Sequence, residues 1–167
     1  MYQIGDHVVY GIHGVCRILC EEERKVDRNK VQYFVLEPVD QAGARYYIPT
    51  QNQAALNKLR PVLSREELEA LLRSEAVRED FWIADENRRK QTYRELIGSG
   101  DRGALIRMVG TLHRHRREQM EAGRKFHLCD ENFLRDAEKL LNAEFSMVLG
   151  IAPGQVGQYI LSAMQRE

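Results

Sequence analysis

The sequence has few of the residues that stabilise secreted or membrane-spanning proteins. Its three cysteines, Cys16, Cys20 and Cys129, are odd in number and lack a framework spacing, which argues against a disulfide-stapled fold. No run approaches the ~20 apolar residues that a membrane span needs. Residues 1–6 lead directly into a strand pattern rather than a signal peptide. We therefore expect a cytoplasmic protein with no membrane partner.

Net charge is also absent, since 25 Lys and Arg balance 25 Asp and Glu. A neutral chain is not a general nucleic-acid-binding protein. The charge is unevenly distributed, however, because residues 88–125 contain eleven Lys or Arg against four Asp or Glu, an excess of +7. Such a basic stretch supports assisted phosphate binding, although it is more often a solvated helix face.

Residues 1–60 have the composition of short strands. β-branched and aromatic residues cluster in four segments, at 6–10, 15–19, 31–36 and 45–49. Turn signals at 11–14, 27–30 and 40–43 separate them. Short strands with tight turns and no helix-length pattern predict a small antiparallel barrel or curled sheet.

From Pro61 onward the apolar periodicity becomes helical. A capping box at Ser64 opens the first predicted helix, and further helices begin near Asp85, Asp101 and Asp130. The last follows Pro153-Gly154 and presents Val156, Tyr159, Ile160 and Met164 on its apolar face. The predicted fold class is therefore α+β, with a β domain over residues 1–60 followed by an all-α helical bundle over residues 61–167.

Two adjacent aromatic pairs in the β domain, Tyr33-Phe34 and Tyr46-Tyr47, cannot both point wholly inward. Neighbours on a strand face opposite sides of the sheet. One member of each pair is therefore exposed or part of an interface. An exposed aromatic side chain on an edge strand is a natural docking point for the sheet of another protein.

Trp82, the only tryptophan, precedes a cationic run at Arg88, Arg89 and Lys90. Cations hold phosphates without reading sequence, and an apolar ring can enter a groove or stack on an unpaired base. A lone Trp beside Phe81 and Ile83 is nevertheless more often a core residue. The local sequence by itself favours the core interpretation.

No constellation of residues indicates catalysis or metal binding. His113 and His115 lie two residues apart on a predicted helix, a spacing at which side chains do not face each other. His127 and Cys129 have no second ligand pair for zinc. We therefore expect a non-enzymatic protein without cofactor, metal or small-molecule substrate; a hydrolase using His113 or His115 is the weakest hypothesis.

Residues 4–15, IGDHVVYGIHGV, resemble the opening of the CarD/CdnL family of bacterial transcription regulators, whose pattern is GD-x-VVYP-x-HGV. Only the proline of that pattern is replaced, by Gly11. Weaker similarities follow in order at 32–36, 46–49, 59–62, 88–101 and 134–141. The resemblance thus covers nearly the whole chain, and its N-terminal motif is the most specific part.

The resemblance implies a Tudor-like N-terminal domain, shared with the transcription–repair coupling factor, that docks on the β subunit of RNA polymerase. It further implies a helical domain that contacts promoter DNA at the upstream edge of the melted −10 region. A tryptophan of the family acts there as a minor-groove wedge and stabilises the open complex.

Transfer of residue roles from the family identifies two sets. The predicted polymerase-binding residues are Arg24, Arg45 and Tyr47, and the predicted DNA-binding residues are Trp82, Arg88, Arg89, Lys90 and Arg114. The usual Trp position falls on Glu86, one helical turn after Trp82. Trp82 can therefore serve as the wedge only if its helix begins early enough to include it, and is otherwise a core residue.

The second departure from the family concerns residues 130–134, where members often place Lys or Arg. Asp130 and Glu131 stand there instead, so one phosphate contact is expected to be missing or repelled. The alternative function is a polymerase- or protein-docking adaptor whose helical domain binds another protein. Zero net charge and the acidic pair Asp130-Glu131 favour that alternative.

Overall fold

The structure is a computed structural model that describes residues 1–165, with only the backbone of Met164 and Gln165. The predicted apolar role of the Met164 side chain, and residues 166–167 of the predicted helical domain, lie outside this description. The chain divides into two compact units, which we call the β unit, Met1–Val62, and the helical unit, Leu63–Glu167. The division falls two residues later than the predicted boundary, because Leu59–Pro61 forms a strand.

The β unit is a five-stranded antiparallel sheet with the strand order β4-β3-β2-β1-β5. Its strands are β1 (His7–Tyr10), β2 (Val15–Val26), β3 (Asn29–Pro38), β4 (Tyr46–Pro49) and β5 (Leu59–Pro61). A one-turn helix, α1 (Gln53–Leu56), precedes β5. The antiparallel fold predicted from the strand pattern is confirmed, and β5 was not foreseen.

The sheet of the β unit curls around an apolar core. The ring of Tyr46 on β4 lies 5.4 Å from the ring of Tyr10 on β1, although two strands separate β4 from β1 in the sheet. Phe34 is buried whereas its neighbour Tyr33 is only half-buried, as the alternation of strand side chains requires. The core residues are Val8, Cys16, Ile18, Phe34, Leu36, Ile48 and Leu59.

The hairpin that joins β2 and β3 is longer than predicted. The ladder continues to Val26, which pairs with Asn29, so the predicted turn at 27–30 is reduced to Asp27 and Arg28. Both residues have positive φ, 49° and 71°. A two-residue turn with this backbone matches the right-handed twist of the two strands. The charged residues before the turn lack apolar alternation, so only the cross-strand pairing reveals that they form a strand.

The helical unit contains α2 (Arg65–Arg73), α3 (Glu86–Ser99), α4 (Arg102–Glu121), α5 (Leu128–Leu149) and α6 (Val156–Gln165). The predicted capping box is present, because Ser64 accepts from the Glu67 N–H and Glu67 accepts from the Ser64 N–H. Asp85 and Asp101 are the N-caps of α3 and α4, and each accepts a backbone N–H with its carboxylate. Local capping thus fixes where three helices begin.

The core of the helical unit lies between α4, α5 and the shorter helices. Tyr93, Leu112 and Phe145 are among its fully buried side chains, and Leu68 and Leu134 join them from α2 and α5. Among the described residues, no helix is long and apolar enough to cross a membrane. Nor does any group of three or more His, Cys, Asp or Glu in the described part of the chain have the arrangement of a metal site.

Candidate partner-binding and nucleic-acid-binding surfaces

Strand β4 forms one edge of the sheet in the β unit. The Thr50 N–H donates to the Gln32 carbonyl at 2.9 Å, and Ile48 pairs with Phe34. Because hydrogen-bonding direction alternates along a strand, the N–H and C=O of Tyr47 point away from β3. The edge therefore offers a donor and an acceptor to a further strand.

Tyr47 and Arg24, two of the predicted polymerase-binding residues, lie together beside this edge. The Arg24 guanidinium donates to the Tyr47 hydroxyl at 2.8 Å, and its carbon lies 4.1 Å from the centre of the Tyr47 ring. The Tyr33 ring packs edge-on against Tyr47 at 6.3 Å. Tyr47 remains 37% exposed. A ring fixed from two sides presents its remaining surface at little entropic cost to binding.

Arg45, the third predicted polymerase-binding residue, immediately precedes β4 and forms an ion pair with Glu37. Glu37 also accepts from the Gly43 N–H at 3.2 Å. These contacts, the Gly43 hydrogen bond first and Arg45 next, hold the pKa of Glu37 below its usual range. The pair is exposed, so Arg45 can exchange Glu37 for a partner carboxylate at small cost.

In the helical unit, Arg89 is not a surface cation. It is 3% exposed, and its Nε and Nη2 donate to the two carboxylate oxygens of Asp130 at 2.8 and 3.1 Å. Its Nη1 donates to the Ile83 carbonyl at 3.0 Å. Burial opposes the charge, but the hydrogen bond and charge of Asp130 outweigh burial and raise the pKa of Arg89. Arg89, predicted to bind DNA, therefore lies inside the helical unit and holds a carboxylate there.

The same pair corrects the interpretation of Asp130. Its carboxylate was expected to stand where a phosphate contact is lost, but it is completely buried and bound to Arg89. A buried, fully paired carboxylate does not repel DNA at the surface. Glu131, its exposed neighbour, is the residue that presents negative charge there.

Trp82 precedes α3 and does not belong to it, because Asp85 is the N-cap of that helix. One face of its ring stacks on His115 at 3.5 Å and 14°, and the guanidinium carbon of Arg89 lies 4.4 Å from the ring centre. The ring also packs against the apolar core. With contacts to His115 and Arg89, Trp82 has a structural role, and base stacking would require displacing a neighbour.

The other predicted DNA-binding residues lie at the surface. Arg88 is exposed in the first turn of α3. Lys90 forms an ion pair with Glu86 at 2.9 Å, and Arg114 on α4 pairs with Asp80 at 3.2 Å. Exposed pairs of this kind contribute little to stability and exchange readily for phosphate.

The excess of positive charge that residues 88–125 present in the structure is smaller than the count along the sequence indicates. Five of the eleven cations between 88 and 125 pair with carboxylates that lie outside that stretch: Arg89 with Asp130, Lys90 with Glu86, Arg102 with Glu144, Arg107 with Glu79 and Arg114 with Asp80. A count over residues 88–125 omits these partners, and all of them except Glu86 are brought near only by the tertiary fold. The net positive charge is therefore concentrated on fewer residues than expected.

Arg124 and Lys125 are surface cations that sequence analysis left unassigned. Both are exposed and have no ion pair among the described residues. They precede Phe126, whose ring lies 6.3 Å from the His115 ring that stacks on Trp82. The contact of their neighbour Phe126 with His115 distinguishes them from other surface cations, and this contact between α4 and the loop after it does not show in local sequence.

The histidines of α4 occupy separate surroundings, as their spacing predicted. His113 Nε2 lies 2.5 Å from Glu138, and His113 Nδ1 lies 3.2 Å from Arg116. His115 instead stacks on Trp82, and burial lowers its pKa. Neither histidine faces a nucleophile in these contacts, so the geometry adds nothing to the hydrolase hypothesis.

Two comparisons with known proteins agree with this geometry. Residues 2–63, which comprise the β unit, match the CarD-like/TRCF RID domain family. The whole chain is similar to "Putative transcription factor YdeB" of Bacillus subtilis (strain 168). The identity is 24% over 159 residues, covering 95% of this chain and 99% of the relative.

The family match over residues 2–63 confirms the resemblance predicted from residues 4–15. The full-length similarity to a transcription-factor relative extends across the helical unit. Together they indicate a role in transcription.

Proposed function

We propose that this protein is a cytoplasmic, non-enzymatic transcription regulator that binds the β subunit of RNA polymerase through its β unit and promoter DNA through its helical unit. The DNA contact is at the upstream edge of the melted −10 region, and it stabilises the open complex. The observation that supports the proposal most directly is the unpaired edge of β4 in a CarD-like/TRCF RID domain.

The polymerase contact uses strand addition at β4. The outward N–H and C=O of Tyr47 supply main-chain hydrogen bonds, and its ring, held by Arg24, supplies an aromatic anchor. Arg45 adds a positive charge at the start of the strand. Aromatic residues and Arg are the side chains most enriched in the centres of protein interfaces.

Tyr47→Pro tests strand addition directly. It removes the outward N–H, which makes no bond to β3, so the internal ladder is retained. We expect recovery of the polymerase β subunit in a pull-down to fall by roughly tenfold, the effect of about 1.4 kcal/mol. Tyr47→Ala, which loses the ring but retains the N–H, is the control, so a loss beyond that of Tyr47→Ala reports the main-chain bond. Full recovery with Tyr47→Pro would eliminate strand addition at this edge.

The DNA contact of the helical unit centres on the exposed cations near the Trp82 stack. Arg88, Arg124 and Lys125 hold phosphates, and Lys90 and Arg114 join them by exchanging their exposed ion pairs. Trp82 contributes through the edge of its ring and, by its contacts with His115 and Arg89, positions the segment before α3. A protein that binds the open complex better than the closed one shifts that equilibrium by the difference in affinity.

The charge variant Arg88→Gln/Arg124→Gln/Lys125→Gln tests this contact with little risk to folding, since all three side chains are exposed. We expect a shorter lifetime of the promoter open complex, with polymerase recovery unchanged. Arg73→Gln/Arg135→Gln/Lys139→Gln removes three exposed cations elsewhere in the unit and serves as control. Equal lifetimes for the two variants would refute the assignment of these residues.

Trp82 can be observed separately because it is the only tryptophan. A fluorinated Trp82 reports its surroundings by fluorine NMR within the complex with polymerase and forked promoter DNA. We expect its resonance to shift when DNA is added to the polymerase complex. An unchanged resonance, with DNA bound, would leave Trp82 with a purely structural role.

The second candidate is a docking adaptor whose helical unit binds a protein. The pairing of five cations in the basic stretch with carboxylates elsewhere favours it, because fewer free charges remain for phosphate. Salt-dependent binding to forked promoter DNA separates the candidates, since phosphate contacts give a steep dependence on salt concentration. If the protein shows no salt-dependent binding to this DNA, the result supports the docking adaptor.

A further inference from the structure

The tip of the β2–β3 hairpin concentrates positive charge in a way that local stability does not favour. Lys25 and Lys30 are directly opposite each other across the two strands. Like charges in that position destabilise an antiparallel pair. Lys30 has one ion pair, with Glu23 at 3.5 Å, and both members are more than half exposed. Solvent therefore weakens the compensation.

The turn between these strands contains a second unfavourable feature, two non-glycine residues with positive φ. Asp27 and Arg28 are the only non-glycine residues with positive φ in the described part of the chain. Asp tolerates this conformation through its short polar side chain, and the second turn position strongly favours Gly. Arg28 instead places an exposed guanidinium at the turn and keeps the backbone strained. Because a strained backbone is retained at this surface turn, we expect the Arg28 side chain to have a binding role.

We propose that Lys25, Arg28 and Lys30 form a nucleic-acid contact of the β unit that binds the phosphate backbone of duplex DNA. Residues 25–30 contain three cations and one carboxylate, Asp27. A two-stranded ribbon is narrow enough to enter or bridge a DNA groove. Phosphate contacts of this kind position a protein without reading sequence.

The composition of the tip favours DNA over a protein or a membrane. Val26, 43% exposed, is the single apolar residue between 25 and 30. Protein interfaces use a buried aromatic or aliphatic anchor, and interfacial membrane binding uses several apolar side chains. A cationic tip without such an anchor is complementary to phosphate.

This contact is separate from the proposed polymerase contact. Arg24 pairs with Val31, whereas the next residue, Lys25, pairs with Lys30, so the two side chains face opposite sides of the hairpin. The Arg24–Tyr47 contact lies on one face and the lysine pair on the other. Binding of DNA at the tip and of a strand at β4 is therefore compatible. Neither depends on the helical unit.

The first experiment measures binding of the full chain to a labelled DNA duplex of arbitrary sequence over a range of salt concentrations. Lys25→Gln/Arg28→Gln/Lys30→Gln is compared with Lys58→Gln/Arg73→Gln/Lys139→Gln, which changes net charge equally at exposed positions. We expect only the tip variant to reduce the salt slope, by about 2.7, since each of its three phosphate contacts contributes about 0.9. Equal slopes in the two variants would overturn the proposal.

The second experiment separates binding from folding. Arg28→Gly relieves the strained turn, so we expect its melting temperature to rise while its affinity for the duplex falls. Amide resonances of residues 25–30 should also shift in NMR spectra when duplex is added to the unmodified chain. Resonances that do not move, or competition by polyglutamate equal to that by DNA, would contradict the assignment to nucleic acid.

Discussion

The two units of this protein use charge differently. In the β unit, charged side chains lie at the surface, and the buried core consists of apolar residues such as Ile18 and Leu36. In the helical unit, Arg89, Asp130 and Glu144 are buried. Among the described residues, all buried charges thus belong to the helical unit. A sheet fixes its register through backbone pairing, whereas helices that pack through side chains gain orientation from a buried ion pair.

A second pair, between the half-buried Arg102 and the buried Glu144, shows the same principle. Arg102 at the start of α4 donates to both carboxylate oxygens of Glu144 on α5, each at 2.6 Å. Glu144 also accepts from the Leu63 N–H at 3.0 Å. The pair therefore orients two helices and the first residue of the unit. A charge count along the sequence assigns such residues to the surface, which is why it overestimates the basic surface of the helical unit.

The largest effect is expected from Asp130→Ala, which leaves Arg89 buried without its partner. We expect the free energy of unfolding of the helical unit to fall by about 3–5 kcal/mol. Urea denaturation followed by Trp82 fluorescence measures this unit, because Trp82 lies against Arg89. Asp136→Ala removes an exposed carboxylate from the same helix and serves as control. Equal stabilities would show that the buried pair does not hold this unit together.

Replacing both partners sharpens the same comparison. Arg89→Met/Asp130→Leu removes the charges together and fills the site with apolar atoms, so it should unfold at higher urea concentration than Asp130→Ala. If the double variant is less stable than Asp130→Ala, the hydrogen bond from Arg89 to the Ile83 carbonyl outweighs the penalty of the buried charge.

A smaller effect is expected in the β unit, whose core consists of apolar side chains and contains no buried charge among the described residues. Ile18→Val removes one methylene from a fully buried side chain and should cost about 1 kcal/mol. Amide hydrogen exchange of β2 and β3 measures the loss. Val26→Ala, at an exposed position of the same strand, should leave the exchange rates of the core amides nearly unchanged. Equal effects of the two variants would argue against a close-packed core in this sheet.

The smallest expected effect is a pH dependence of the helical unit. Burial lowers the folded-state pKa of His115 below its unfolded value of about 6.5; the Asp130 and Glu118 charges oppose the shift, and Arg89 assists it. This contribution to stability is therefore fully present above the unfolded pKa and is lost as pH falls through the folded pKa. His115→Phe retains the stack on Trp82 and should flatten the pH dependence of the urea midpoint. An unchanged slope would assign the dependence to other groups.

The sequence by itself determined much of the local structure. Ser64, Asp85 and Asp101 predicted where three helices begin, because an N-cap side chain bonds a backbone N–H only a few residues away. Clusters of β-branched and aromatic residues predicted four strands, and the motif at residues 4–15 predicted the family that the β unit matches. These features depend on neighbours along the chain.

Only the tertiary structure decided which side chains remain available at the surface. Arg89, which the sequence predicted at the DNA contact, forms a buried pair with Asp130 in the structure. The Trp82 ring contacts both Arg89 and His115. The partners are 41 residues apart for Arg89 and Asp130, beyond any local pattern. The availability of a charge or a ring depends on what the fold packs against it, and that is settled by contacts between distant segments.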